Sequence, residues 1–291
     1  MPVSSSSPET NPGAWPALWA ALVADPLPIG GIAVGVLLGT SALLEIPVSG
    51  PLLVAGFCGT VLVYLVDRVR VSPSDLRNCP ARVAWIRNHI GWVGAEALLC
   101  GAVGGTALVL LAPRTLLVVA GLAAGAGGHV LLADRNAEGL LRGFRKPLVV
   151  ATAWTVGAVV LPVVEAGGLW REGLLWLLLY RGGLILANVL LSDWGDWRGE
   201  AAVGGRPWGR RWAARSVRWL ATGCVGGSAL AAVGLAVTGT PFLLLAVDAL
   251  GLVGMAGAIW IVDPTQKRHI VLLDLLVGWP VLTALAAWGL G

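Results

Sequence analysis

The stretch GLLWLLLYRGGLILANVLLSDWGDWRGE, residues 173–200, decides the fold. Residues 173–193 are predominantly apolar, and three carboxylates then follow within eight residues: Asp193, Asp196 and Glu200. A bilayer core about 30 Å thick takes about 20 apolar residues of helix. The stretch therefore predicts a membrane-spanning helix whose end carries a cluster of acids.

The rest of the chain has the same character. Of its 291 residues 57% are hydrophobic and only 12% charged, with a mean hydropathy of +0.81. That charged fraction is roughly half that of a soluble domain. Lipid offers no partner to an exposed backbone, so spans are helices or a closed barrel. The apolar runs are long and do not alternate, which excludes a barrel. The reading is an all-α integral membrane protein with nine spans, at 27–46, 50–67, 89–112, 115–133, 147–166, 173–193, 213–237, 240–262 and 270–289. Residues 1–26 form a disordered or interfacial segment without a cleavable signal peptide, and 27–291 one transmembrane domain.

Basic residues set the orientation. Arg68 to Arg87, Arg135 to Lys146, Arg198 to Arg218, and Lys267 with Arg268 fall in one set of loops, whereas the opposite loops hold only Arg114 and Arg171. The rich side is expected to be cytoplasmic, with the N-terminus inside and the C-terminus outside. The net charge of +4 thus reports topology and lipid contact, not nucleic-acid binding. Four cysteines show no paired spacing and predict neither a disulfide framework nor a metal site.

The acids gather at the cytoplasmic ends of the second and sixth spans. Tyr64, Asp67 and Val71 have the spacing of Asp193, Asp196 and Glu200, a weak internal repeat with one degenerate copy. At about 100° per residue, positions 0, +3 and +7 fall within roughly 60° of a helix circumference. Carboxylates crowded on one face repel one another, and a divalent cation relieves the conflict; hard oxygen ligands suit Mg2+ held together with substrate phosphates. Neighbouring guanidinium groups suit the phosphates. The plainer alternative is an interfacial ion pair, for instance Asp193 or Asp196 with Arg198.

At these residues the sequence resembles the UbiA superfamily of intramembrane prenyltransferases, whose nine helices carry Asp-rich motifs after the second and sixth. DWGDWRGE matches the second motif, [N/D]xxDxxxD, with Asp193, Asp196 and Glu200 in the three acidic places. RGFRKPLVVATAWTVGAVVLP is similar to the opening of the family's fifth helix and VLLDLLVGWPVL to its ninth. The first motif departs: only the central Asp67 survives, followed by Arg68, and Asp75 lies four residues late, beyond Pro73. A tyrosine frequent near the end of the family's fourth helix is missing, and His129 lies there.

The resemblance implies a UbiA-like bundle with an active-site cap on the cytoplasmic side, in the inner membrane of a bacterium. It implies Mg2+-dependent transfer of a prenyl group from an isoprenoid diphosphate to an aromatic or lipid acceptor. Asp67, Asp193, Asp196 and Glu200 would carry metal and catalysis. Arg68, Arg142, Arg145, Lys146 and Arg198 would bind diphosphate, and Tyr64 would face a cation through its ring. A terpene cyclase on the same diphosphates is the first alternative. A non-catalytic membrane protein is the second, given the degenerate first motif.

Other residues carry weaker signals. Trp85, Trp170, Trp194, Trp197, Trp208 and Trp212 lie near span ends and read as interfacial anchors. Trp154 and Trp279 lie deeper and are cavity candidates. Glu96, Arg181, Asp248 and Asp274 are intramembrane charges and functional candidates by default. Arg181 and Asp248 would either pair with one another or line a water-filled cavity.

Overall fold

The computed structural model describes residues 24–132, 141–168, 170–202 and 213–290, with side chains at all of these except 126–132, 141–143, 145, 197–202 and 267–268. Among the described residues every regular element is a helix. Seven helical segments are long and apolar enough to cross a membrane: Gly50–Val69, Ile90–Val109, Lys146–Glu165, Leu174–Asp196, Ala214–Val237, Phe242–Ile261 and His269–Leu290. Two shorter apolar stretches, Leu27–Leu43 and Pro113–Gly125, complete the set of places where spans are expected.

The helices are α1 (Leu27–Leu43), α2 (Gly50–Val69), α3 (Asp75–Asn78), α4 (Pro80–Asn88), α5 (Ile90–Val109), α6 (Pro113–Leu132), α7 (Leu141–Thr155), α8 (Leu161–Glu165), α9 (Leu174–Ala202), α10 (Ala214–Val237), α11 (Phe242–Ile261), α12 (Lys267–Val277) and α13 (Pro280–Leu290). A π-helical turn, Val156–Val160, joins α7 to α8. The span expected at 270–289 is split at Gly278 and Trp279, because Pro280 has no N–H to continue the ladder of α12. The sixth span overruns its predicted end: α9 continues unbroken past Asp193 to Ala202, Gly195 included.

Local chemistry sets the ends. Ser49 caps α2, its Oγ accepting from Leu52 N at 3.2 Å. Arg218 donates to the carbonyls of Trp260 and Val262 and so closes the C-terminus of α11. At α1 the chain turns in a Schellman-type arrangement: Ile46 N donates to Ser41 O at 3.0 Å and Glu45 N to Ala42 O at 3.3 Å. The residue in the left-handed position, normally glycine, is Glu45, with φ 49°. A non-glycine residue there costs roughly 1 kcal/mol or more.

Pairwise packing runs around the bundle. α1 packs on α2, α2 on α5, α7 on α9, α9 on α10, α10 on α11, α11 on α13, and α13 back on α1. Glycines permit the closest approaches, as expected where lipid gives helices no hydrophobic reason to associate. A methyl at Gly183 of α9 would collide with Ser228 of α10, and one at Gly39 of α1 with Pro280 of α13. At the end of the bundle remote from the acids, Glu165 gathers three connections. Its carboxylate accepts from Ser49 Oγ (3.3 Å), Ala112 N (3.1 Å) and Thr115 Oγ1 (2.6 Å).

Candidate functional site

Polar groups line one side of α9 near its end. Asp193 is one-tenth exposed and takes the Lys146 ammonium at 2.9 Å from the start of the fifth span. One turn on, the Asp196 carbonyl accepts from Asn78 Nδ2 at 2.8 Å, which docks the short helix α3 against α9. Gly195, between them, lies under the α11–α12 connection so closely that a Cβ would collide with the Pro264 carbonyl. The glycine that counts against helix by propensity is thus required by packing.

The polar line continues inward. Ser192 Oγ donates to Asn188 Oδ1 at 3.2 Å, and Asn188 Nδ2 donates to Asp274 Oδ1 of α12 at 2.9 Å. Asn188 and Asp274 then line a narrow cleft of about 30 Å³ with Tyr64, Trp154, Ile32 and Val189. Tyr64 and Trp154 meet edge-on, ring centroids 6.4 Å apart. The cleft therefore has carboxylate, amide and two aromatic rings on its walls, and it sits beneath the acidic end of α9.

The sequence-predicted residues fall into three groups. Asp193 and Lys146 are brought together, with Asp196 one turn further along α9, and Tyr64 and Trp154 share the cleft. Asp67 lies exposed at the last turn of α2, while Arg68 is buried and donates Nη1 to the Ala24 carbonyl. The side chains of Arg142, Arg145, Arg198 and Glu200, and of His129, lie outside the described residues, as do Trp197, Trp208 and Trp212. Among the described residues no three His, Cys, Asp or Glu side chains form a group able to hold a metal ion. The expected set includes Glu200 and is not complete within them.

Asp75 is held away from the helix face: it accepts from Ser72 N (2.9 Å) and Ser72 Oγ (2.7 Å) and pairs with Arg82 at 2.8 Å. Two expectations are corrected. Trp279 does not line the cleft; its indole N–H donates to the Val247 carbonyl at 2.8 Å and its ring packs over Gly251. Trp194 is buried in the main core and is no interfacial anchor, its ring packing among the helices of the bundle. Cys58 and Cys100, far apart in the chain, are both buried in the core where α2 packs on α5.

Asn188 and Ser192 escaped the sequence reading. The available signal was their spacing: 188, 192 and 196 repeat every four residues, one face of a helix.

On the α11–α12 connection, Asp263 Oδ1 accepts from Thr265 N (3.0 Å) and Oγ1 (2.8 Å), and Asp263 N donates to His269 Nδ1 at 2.9 Å. The Thr265 hydroxyl and N–H hold the Asp263 carboxyl below the usual carboxylate range. This fixes the loop that presses on Gly195. No protein-family model matches the sequence, and comparison with curated proteins and with solved structures gives no match.

Proposed function

We propose that the chain is a UbiA-like intramembrane prenyltransferase that crosses the membrane nine times and uses Mg2+ to act on an isoprenoid diphosphate. The observation that carries the reading is the hydrogen-bonded line Ser192–Asn188–Asp274, which enters the cleft walled by Tyr64 and Trp154 on the helix whose end carries Asp193 and Asp196. A prenyl diphosphate has the same polarity along its length, charged at one end and apolar with an allylic carbon at the other.

The donor set suits the ligand. Asp193 and Asp196, one turn apart, offer hard oxygens to a divalent cation, with Asp67 and Glu200 as further candidates. Lys146, already beside Asp193, offers an ammonium to the diphosphate, with Arg68, Arg142, Arg145 and Arg198 as further basic groups. A bound Mg2+ would supply charge neutralisation on the departing diphosphate. The C–O bond breaks with its electron pair leaving on oxygen. Tyr64 and Trp154 would offer aromatic rings to the allylic cation once the cleft, about 30 Å³ without a ligand, opens to admit the chain. An aromatic or lipid acceptor then forms the new bond and loses a proton. A cyclase differs only in that the cation closes on its own chain.

A second reading, a membrane protein of this kind without catalysis, is favoured by Arg68. Its guanidinium is engaged by the Ala24 carbonyl, and its motif retains a single acid. The deciding assay supplies the reconstituted protein with geranyl, farnesyl and geranylgeranyl diphosphates, with and without Mg2+, and follows pyrophosphate and organic products. Metal-dependent pyrophosphate release is expected, and the organic product separates transfer from cyclisation. No release from any of the three, with an acceptor mixture present, sinks the enzymatic reading.

A further inference from the structure

A second cavity lies at the opposite end of the bundle from Asp193 and Asp196, between the end of α1, the start of α11 and the end of α13. It measures about 540 Å³, within the range of roughly 300–1,000 Å³ usual for small-molecule sites. Its walls are mostly apolar, with Leu38, Leu244, Ala287 and Leu290 among them. Only two lining residues break that pattern, Ser41 and Glu45.

Glu45 is the one that points to a ligand, since the Ser41 oxygen is buried away from the cavity. Among the described residues Glu45 is the only charged one of the lining. It occupies the left-handed position at the end of α1 where glycine is the unstrained choice, so the backbone alone does not account for a glutamate there. The carboxylate stands at the rim, exposed, while the apolar volume lies behind it. Among the described residues no Lys or Arg lines the cavity, so an anionic headgroup would meet no counter-charge there.

We propose that this cavity binds a membrane phospholipid with a primary ammonium headgroup. The ammonium pairs with Glu45, and a chain segment fills the apolar volume along Leu38, Leu244 and Leu290. The phosphate stays outside, toward water. The site is separate from the diphosphate chemistry proposed above and stands or falls independently of it.

Native mass spectrometry of the detergent-solubilised full chain tests this, with phosphatidylethanolamine, phosphatidylcholine and phosphatidylglycerol of identical acyl chains. The ethanolamine lipid should bind more tightly than the glycerol lipid by up to about fivefold, the upper end for one exposed ion pair. Glu45→Gln should bring the lipids to parity. Glu45→Gly should do the same while relieving the backbone, so that misfolding is not an escape. Ala287→Trp, which fills the cavity, should abolish binding of all three. Equal binding of the three lipids to the unaltered protein overturns the proposal. So does an ethanolamine preference that survives Glu45→Gln and Glu45→Gly, lipid binding that survives Ala287→Trp, or a lipid-free dimer that Ala287→Trp dissociates.

Discussion

Arg181 and Asp248 face each other in a two-pronged ion pair, Nη1 to Oδ1 at 2.7 Å and Nη2 to Oδ2 at 2.8 Å, with both side chains 1% exposed. Tyr180 OH (2.8 Å) and Thr283 Oγ1 (2.7 Å) donate to the same carboxylate, so one acid of α11 ties α9 and α13 together. Of the two roles open to these charges from sequence, the structure selects pairing. Breaking such a pair from one side leaves an uncompensated charge in the bundle. Asp248→Ala should cost about 3–5 kcal/mol, while Arg181→Met combined with Asp248→Leu should cost less, since it strands no charge and leaves only the Tyr180 and Thr283 hydroxyls without their acceptor. Thermal unfolding in detergent, followed by circular dichroism, measures both. A double variant as unstable as Asp248→Ala would show that the pair does more than neutralise itself.

The acid at the centre of the α9 cluster should be the least replaceable. Asp196→Asn keeps shape and removes charge, and should lower pyrophosphate release about a hundredfold. Asp75→Asn should leave the rate nearly unchanged, because Asp75 is committed to Ser72 and Arg82. Rates at saturating Mg2+ decide. Loss of activity in Asp75→Asn with retention in Asp196→Asn would reassign the chemistry to the loop after α2.

Gly195 should tolerate no side chain. A methyl there meets the Pro264 carbonyl, and overpacking against backbone should cost about 1–3 kcal/mol. Gly195→Ala should also loosen the α11–α12 connection, seen as faster labelling of a cysteine placed at Gln266. Unchanged labelling would mean that the helix shifts instead of the loop.

The same connection should loosen in acid. The folded-state pKa of Asp263 is depressed, so its contribution is complete above the ordinary carboxylate range and is lost as pH falls through the lowered folded value. Labelling of the cysteine at Gln266 should accordingly hold steady through mildly acidic pH, after correction for thiol ionisation, and rise only below the usual Asp range. Thr265→Val, which removes one of the two donors left once the cysteine has replaced Gln266, should move that rise to higher pH. An unmoved midpoint would show that the Thr265 hydroxyl does not hold the carboxyl.

The sequence by itself determined that the chain is helical and built for lipid, because continuous apolar runs with few charges leave the backbone no other way to satisfy its hydrogen bonds. It also located the acids, since a carboxylate at the end of a span stands out in so apolar a composition. Only the tertiary structure decided what those residues touch. Arg181 and Asp248 are 67 residues apart in the chain, Asn188 and Asp274 are 86 apart, and no local pattern couples them. Their pairing is fixed by how α9, α11, α12 and α13 pack. The uses of Gly195 and Trp279 were equally hidden, because a close approach depends on the other surface. Helix periodicity tells which residues share a face; which face meets which is settled by packing, over distances that sequence patterns do not reach.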